Sequence, residues 1–76
     1  MRDLLEDIAR RLVDDPEAVR VEREELEDAV VLRLEVAKED VGKVIGRQGR
    51  IARALRQLVR AYSGRERKRF VLEIVD

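Results

Sequence analysis

Residues 30–37 alternate strongly apolar side chains with less apolar ones more regularly than the rest of the chain does. Val30, Leu32 and Leu34 fall on one side, so the pattern predicts a β-strand with one side buried and the other half polar. A lone strand cannot bury that side, and a chain of 76 residues has room for only one small core to cover it. We therefore expect a single domain, residues 1–76, built on a sheet that is covered on one face.

The period of the apolar residues predicts the remaining elements. The predicted helices span about residues 3–13, 39–45 and 50–63, and the predicted strands about residues 19–22, 30–37 and 70–75. A turn of three to five residues is expected within the acidic stretch 24–28. Asp3 and Glu6 have the spacing of a capping box at the start of the first helix. The order α-β-β-α-α-β predicts an α+β domain, a three-stranded sheet with helices packed on one face.

The composition leaves few residues that could support catalysis or metal binding. The chain has no Cys and no His, which excludes disulfides, a structural zinc site and the commonest nucleophile–base pairs. Its one Ser, Ser63, stands where a helix is predicted to end, and its carboxylates form no cluster in an apolar setting. We therefore expect a protein that is not an enzyme and that needs no metal and no cofactor.

Hydropathy and the first residues bear on where the protein resides. The longest purely apolar run, Ala29–Leu32, has four residues, against the ~20 that span a bilayer. The acidic stretch 1–7 lacks the basic start and the apolar stretch of a secretory signal. These features predict a cytoplasmic protein without a membrane contact.

The net charge of zero conceals a strong polarity along the chain. Residues 1–37 hold six Arg against twelve Asp and Glu, a formal charge of −6, whereas residues 38–69 hold eleven Lys and Arg against three acids, a charge of +8. Such asymmetry suggests a polyanionic partner for the basic part, although a dipolar surface that only keeps the domain soluble has the same composition.

A glycine pair, Gly46 and Gly49, lies between the two predicted helices of the basic part. Glycine adopts positive φ without strain, so the pair is consistent with a sharp turn alone. The absence of side chains also lets a nucleic-acid backbone approach the main chain, next to a helix start that favours phosphate. Lys43, Arg47 and Arg50 bracket the pair and would supply cationic contacts to the same anion.

The sequence Val44-Ile45-Gly46-Arg47-Gln48-Gly49-Arg50, between two helices, resembles the VIGxxG core of the KH domain, a single-stranded RNA-binding module. The element order resembles the type II, bacterial arrangement of that fold, and the resemblance covers the whole chain. The lead-in Asp40-Val41-Gly42-Lys43 and the GRQGR continuation resemble the small stand-alone bacterial proteins of the KhpA family.

The resemblance implies roles for individual residues. Gly46–Gly49 would hold the backbone of about four unpaired nucleotides, and Val44 and Ile45 would form the apolar side of a groove for the bases. The strand after the basic cluster would form the opposite edge. The implied RNA-binding residues are Lys43, Val44, Ile45, Gly46, Arg47, Gln48, Gly49, Arg50 and Arg53. Residues that flank the RNA, or only form a solvated basic turn, are Arg65, Arg67, Lys68 and Arg69.

The third predicted helix has a wider apolar arc than packing on one sheet requires. Ala54, Leu58 and Ala61 lie on its spare flank, which predicts a helix-to-helix contact in a homodimer or with another KH protein, unless the alanines only favour helix formation. The KhpA resemblance implies self-association and pairing with a larger KH-containing RNA-binding protein. It also implies an RNA chaperone or post-transcriptional regulator, linked to cell shape and elongation.

Two other functions are also compatible with the sequence. A helix-turn-helix DNA binder also joins two helices by a glycine-bearing turn, although the flanking strands suit a KH sheet better. A protein-interaction adaptor could keep the KH fold and make only secondary contact with RNA.

Overall fold

The computed structural model describes residues 2–63 and 68–75, and in these ranges the predicted element order is confirmed. The helices are α1 (Arg2–Leu12), α2 (Val41–Ile45) and α3 (Arg50–Ser63), and the strands are β1 (Arg20–Glu25), β2 (Ala29–Glu35) and β3 (Arg69–Ile74). Single 3-10 turns at Pro16–Ala18, Lys38–Asp40 and Arg47–Gly49 connect them. The fold is α+β, as the sequence predicts.

The sheet has the order β1-β2-β3, with β2 in the centre. β1 pairs antiparallel to β2 through a hairpin, and β3 pairs parallel to β2, with Leu32 beside Leu72. A parallel neighbour requires a crossover connection, and α2, the glycine pair and α3 together form it. Of the two helices, α3 packs against the edge strand β3.

The core lies on one face of the sheet, where the helices pack. Leu5 and Ala9 of α1, Val44 of α2, and Leu55 and Val59 of α3 are buried against it. From the sheet itself, the buried side chains of this core include Val21, Val30, Leu32, Leu34, Phe70 and Leu72. On the opposite face, Arg33 of β2 forms ion pairs with Glu24 of β1 and Glu73 of β3.

Two local predictions need correction. β1 continues to Glu25 instead of ending near Glu22, because Glu24 and Glu25 pair with Val31 and Val30 of β2. The remaining turn, residues 26–28, has the three-residue length that the sequence allows for. Helix α1 already begins at Arg2, which puts Asp3 inside its first turn and not at a capping position. Pairing with a central strand thus prevails over the weak strand preference of Glu.

Candidate nucleic-acid interface

The loop Gly46–Gly49, called the GxxG loop below, turns sharply at its first glycine. Gly46 has φ +79° and ψ 172°, a region of backbone space that is essentially closed to other residues. A Cβ atom at this position would lie 2.7 Å from Cγ1 of Ile51 and 2.9 Å from its main-chain nitrogen. The first turn of α3 therefore packs directly on the main chain of Gly46, and no side chain fits between them.

The rest of the GxxG loop is a tight turn that one main-chain hydrogen bond closes. Gln48 has φ 56° and ψ 25°, and the N–H of Gly49 donates to the carbonyl of Gly46 over 3.1 Å. Gly49 has φ +75°, but a Cβ atom there would meet nothing within 4 Å. The side chains of Arg47 and Gln48 are exposed. The turn therefore presents its main chain with open space beside Gly49.

Arginines continue from the loop along α3. Arg50, Arg53 and Arg56 are exposed and follow one another at three-residue intervals, which puts successive side chains on neighbouring turns of the helix. An open groove of about 410 Å³ lies between α3 and β3 and is called the α3–β3 groove below. It is lined by Arg56, Arg60, Arg69, Phe70, Val71 and Leu72.

The main chain of β3 offers hydrogen bonds at the open edge of the sheet. The N–H of Arg69 donates to Asp28 over 3.4 Å, and the N–H of Val75 donates to Leu34 over 2.9 Å. Alternate residues of a parallel strand face the same neighbour, so the N–H and C=O groups of Phe70, Leu72 and Ile74 point away from β2. β3 thus has main-chain groups along the edge of the sheet that pair with no described strand, while the side chains of Phe70 and Leu72 face the core.

Lys43, which the sequence places beside the glycine pair, already has two carboxylate partners. Its Nζ lies 2.8 Å from Oδ2 of Asp14 and 3.2 Å from Oδ1 of Asp40. Hydrogen bonds with Asp14 and then Asp40 raise the pKa of Lys43 above its ordinary value. The ammonium group is therefore engaged within the domain, and its contact with RNA stays a prediction.

The two apolar residues before the loop are placed differently. Val44 is fully buried, whereas Ile45 is half-buried. Val44 therefore supports the loop from the core, and Ile45 retains accessible apolar surface next to Gly46.

Lys68 and Arg69, the predicted flanking cations that the structure describes, follow α3 in the chain, at the end away from the GxxG loop. The 14 residues of α3 correspond to about 21 Å of helix. Arg65 and Arg67 lie outside the described residues. Nζ of Lys68 lies 3.1 Å from the carbonyl of Leu26 and 3.5 Å from Oε2 of Glu25, at the β1–β2 turn. Arg69 lines the α3–β3 groove. The structure therefore brings only Arg69 of the described flanking residues to the groove.

Arg56 and Arg60 are the groove residues that the sequence prediction missed. Both lie on the polar side of α3, at three and seven residues beyond Arg53, which is the spacing of one helix face. That spacing was the available signal. What it did not reveal is that this face of α3 borders the open edge of β3.

Among residues 2–63 and 68–75, no three acidic side chains come together in a group that could hold a metal ion. Nor does any helix of the described chain have the length and apolarity needed to cross a membrane.

Two helices joined by a GxxG turn, packed on a three-stranded sheet whose last strand runs parallel to the centre, define a type II KH domain. The chain belongs to the KhpA/KhpB family of KH domains, since the family described as "KhpA/KhpB, KH domain" matches residues 2–74.

Known relatives match the chain over its full length. It is 51% identical to the "RNA-binding protein KhpA" of Clostridium acetobutylicum over 99% of this chain and 100% of that protein. It is 45% identical to the protein of the same name from Listeria monocytogenes, over 100% of both chains. The protein of that name from Aquifex aeolicus is 47% identical, over 100% of this chain and 96% of its own length. No solved structure matches the chain significantly.

Proposed function

We propose that the protein binds single-stranded RNA without catalysis, holding the sugar-phosphate backbone at the GxxG loop and the bases in the α3–β3 groove. The observation that carries the proposal is the contact of Ile51 with the main chain of Gly46, which presents a bare loop at the start of an arginine-bearing helix. The relatives are named as RNA-binding proteins, which supports RNA as the ligand.

Within this proposal the residues have different tasks. Gly46 lets the loop pack closely on Ile51, Gly49 leaves open space for the RNA backbone, and Arg47, Arg50 and Arg53 neutralise phosphates. Ile45 forms the apolar side of the groove, supported by Val44. The open edge of β3 hydrogen-bonds the bases.

Binding is expected to be weak and only modestly selective. Tyr62 and Phe70, the two aromatic residues of the chain, pack edge to face with ring centroids 5.7 Å apart, and Phe70 is buried. They are therefore not available as platforms on which bases stack, a contact worth about 1–3 kcal/mol per base. Phosphate contacts would then supply most of the affinity, so it depends on salt.

Fluorescence anisotropy tests the proposal. Labelled single-stranded RNA, a matched RNA duplex and single-stranded DNA are titrated with the protein over a salt series. The double variant Arg47→Glu, Arg50→Glu should lose binding to single-stranded RNA, because it reverses both charges at the loop. The matched control Arg11→Glu, Arg20→Glu makes the same charge change at exposed positions of α1 and β1 and should retain most of the affinity.

If both double variants lose RNA affinity equally, the interaction depends only on net charge. If both retain the full affinity, the proposed RNA-binding site is contradicted. The second outcome, with protein partners still bound, would favour the interaction adaptor. A helix-turn-helix DNA binder is not favoured, since α2 has only five residues and the domain contains a three-stranded sheet.

We further propose that α3 mediates self-association or contact with a larger KH-containing RNA-binding protein. Ala54 and Ala61 are exposed and Leu58 is half-buried, while Ala52, Leu55 and Val59 pack into the domain. This leaves an apolar flank beside the packed one. A post-transcriptional regulator or RNA chaperone in the cytoplasm, with an effect on cell shape, is the role that the family resemblance suggests.

A further inference from the structure

Asp40 stands apart from the other charged residues that the structure describes, because it alone is buried, with 2% of its surface exposed. Burying a carboxylate costs free energy unless hydrogen bonds compensate it. Asp40 lies in the 3-10 turn directly before α2, six residues ahead of Gly46. Its partners therefore determine how the helix that carries the GxxG loop is held.

One partner of Asp40 lies 25 positions away in the chain, and the other lies one helical turn further along. Oδ2 of Asp40 accepts the main-chain N–H of Asp15 over 3.0 Å, and Oδ1 accepts Nζ of Lys43 over 3.2 Å. Lys43 also donates to Asp14 over 2.8 Å. Burial by itself would raise the pKa of Asp40, but these hydrogen bonds hold it below its ordinary value. The carboxylate thus joins the segment after α1 to the start of α2.

Helix α2 depends on such contacts for its position. Five residues are too few for a helix that is stable by itself, since isolated helices shorter than about 12 residues are marginal. Val44 fixes the middle of α2 in the core, and the contact of Gly46 with Ile51 fixes its end. Asp40 fixes its start through a hydrogen bond to the segment after α1.

We propose that Asp40, through its hydrogen bond with the main chain of Asp15, is a positioning residue for the GxxG loop. Lys43 binds Asp14 and Asp40 within the domain instead of neutralising an RNA phosphate. The positioning part is independent of the ligand. The part concerning Lys43 and phosphate rests on the proposed RNA-binding function, and the two parts are tested separately.

Amide hydrogen exchange, followed by NMR without RNA, tests the positioning. Asp40→Asn should increase exchange in residues 46–49 about tenfold relative to amides in the centre of β2, because it removes a charge-assisted hydrogen bond. Glu39→Gln is the matched control, the same loss of one charge at the neighbouring exposed residue, and should leave the ratio unchanged. If Asp40→Asn does not fold, Lys43→Met takes its place and should show the same increase. An unchanged ratio in the folded variant overturns the proposal.

The salt dependence of RNA affinity tests the assignment of Lys43. A residue that neutralises one phosphate of a single strand contributes about 0.7 to the slope of log K against log salt. Lys43→Met should lower affinity with the wild-type slope, and its effect should not add to that of Asp40→Asn. Arg47→Met should reduce the slope by about 0.7. An equal reduction in Lys43→Met would overturn the assignment. If the wild type binds no RNA, the proposed function fails, whereas the exchange ratio still decides the role of Asp40.

Discussion

The two glycines of the GxxG loop look equivalent in the sequence but have different physical roles. Gly46 combines a backbone conformation reserved for glycine with contact to Ile51, whereas Gly49 has positive φ and open space around it. A side chain at position 46 would therefore be opposed both by its contact with Ile51 and by the backbone conformation. A side chain at position 49 would be opposed by the backbone conformation alone, and the open space beside Gly49 remains for a ligand.

Alanine substitutions should therefore separate the two glycines. We expect Gly46→Ala to lower the free energy of unfolding by about 2–4 kcal/mol, because Ile51 must move and the backbone is strained. Gly49→Ala should cost only about 1–2 kcal/mol. Urea denaturation followed by circular dichroism measures both values, and equal losses would contradict the different environments described for them.

Asp40 leads to a prediction about acid stability. Burial alone would raise its pKa, but hydrogen bonds from main-chain N–H groups and Lys43 lower it below 3.8. A carboxylate whose pKa is lower in the folded state stabilises the fold above its unfolded pKa, and this stabilisation is lost as the pH falls through the folded value.

The wild type should consequently exceed Asp40→Asn in unfolding free energy by the largest amount near pH 7. This difference should shrink below about pH 4. Urea midpoints at pH 7, 5 and 3 measure it. A difference for Asp40→Asn that stays constant from pH 7 to pH 3 would refute the lowered pKa.

At the residue scale, the sequence indicates the glycines but not the partners of the charged groups. The spacing of Gly46 and Gly49 within VIGRQG identifies the loop. The engagement of Lys43 with Asp14 joins residues 29 positions apart, and no local pattern encodes which of the many carboxylates of the first half meets it.

At the scale of elements, α3 combines three surfaces. One side packs on the sheet, one flank is apolar and exposed, and the polar side carries arginines from the GxxG loop into the α3–β3 groove. The helix therefore determines both the length of the basic surface and its direction along β3.

Single substitutions along α3 should reveal how far the RNA extends. For an eight-nucleotide RNA, Arg53→Gln and Arg56→Gln should each reduce the slope of log K against log salt by about 0.7. Arg20→Gln, on the opposite edge of the sheet, should leave it unchanged. If the Arg53 variant alone changes the slope, the bound RNA ends before the middle of α3.

Periodicity predicted the elements well because each depends on local patterns. The alternation in β2 and the helical period of α3 are confirmed within a residue or two. The longer β1 was missed because its last two residues are Glu, whose pairing with β2 depends on the partner strand. The parallel pairing that exposes the edge of β3 is likewise a property of the assembled sheet.

At the scale of the whole molecule, the charges are sorted by surface. The outer face of the sheet carries Glu24, Arg33 and Glu73 in mutual ion pairs, whereas exposed arginines border the α3–β3 groove. A domain of zero net charge thereby presents a basic path to a polyanion.

The apolar flank of α3 predicts a homodimer. We expect the wild type to sediment as a dimer at micromolar concentration and Leu58→Glu to sediment as a monomer, because the charge would be buried in the contact. Arg56→Glu, on the groove side of the same helix, should leave the sedimentation unchanged. A wild type that is monomeric at high micromolar concentration would exclude the homodimer.

The parallel pairing of β2 with β3 has a kinetic consequence. In its register Arg33 stands beside Glu73, 40 positions further along the chain. Pairing over such a separation requires the closure of a long loop and is a slow step of folding. Because β3 forms one wall of the α3–β3 groove, the groove exists only in chains in which this long-range pairing is complete.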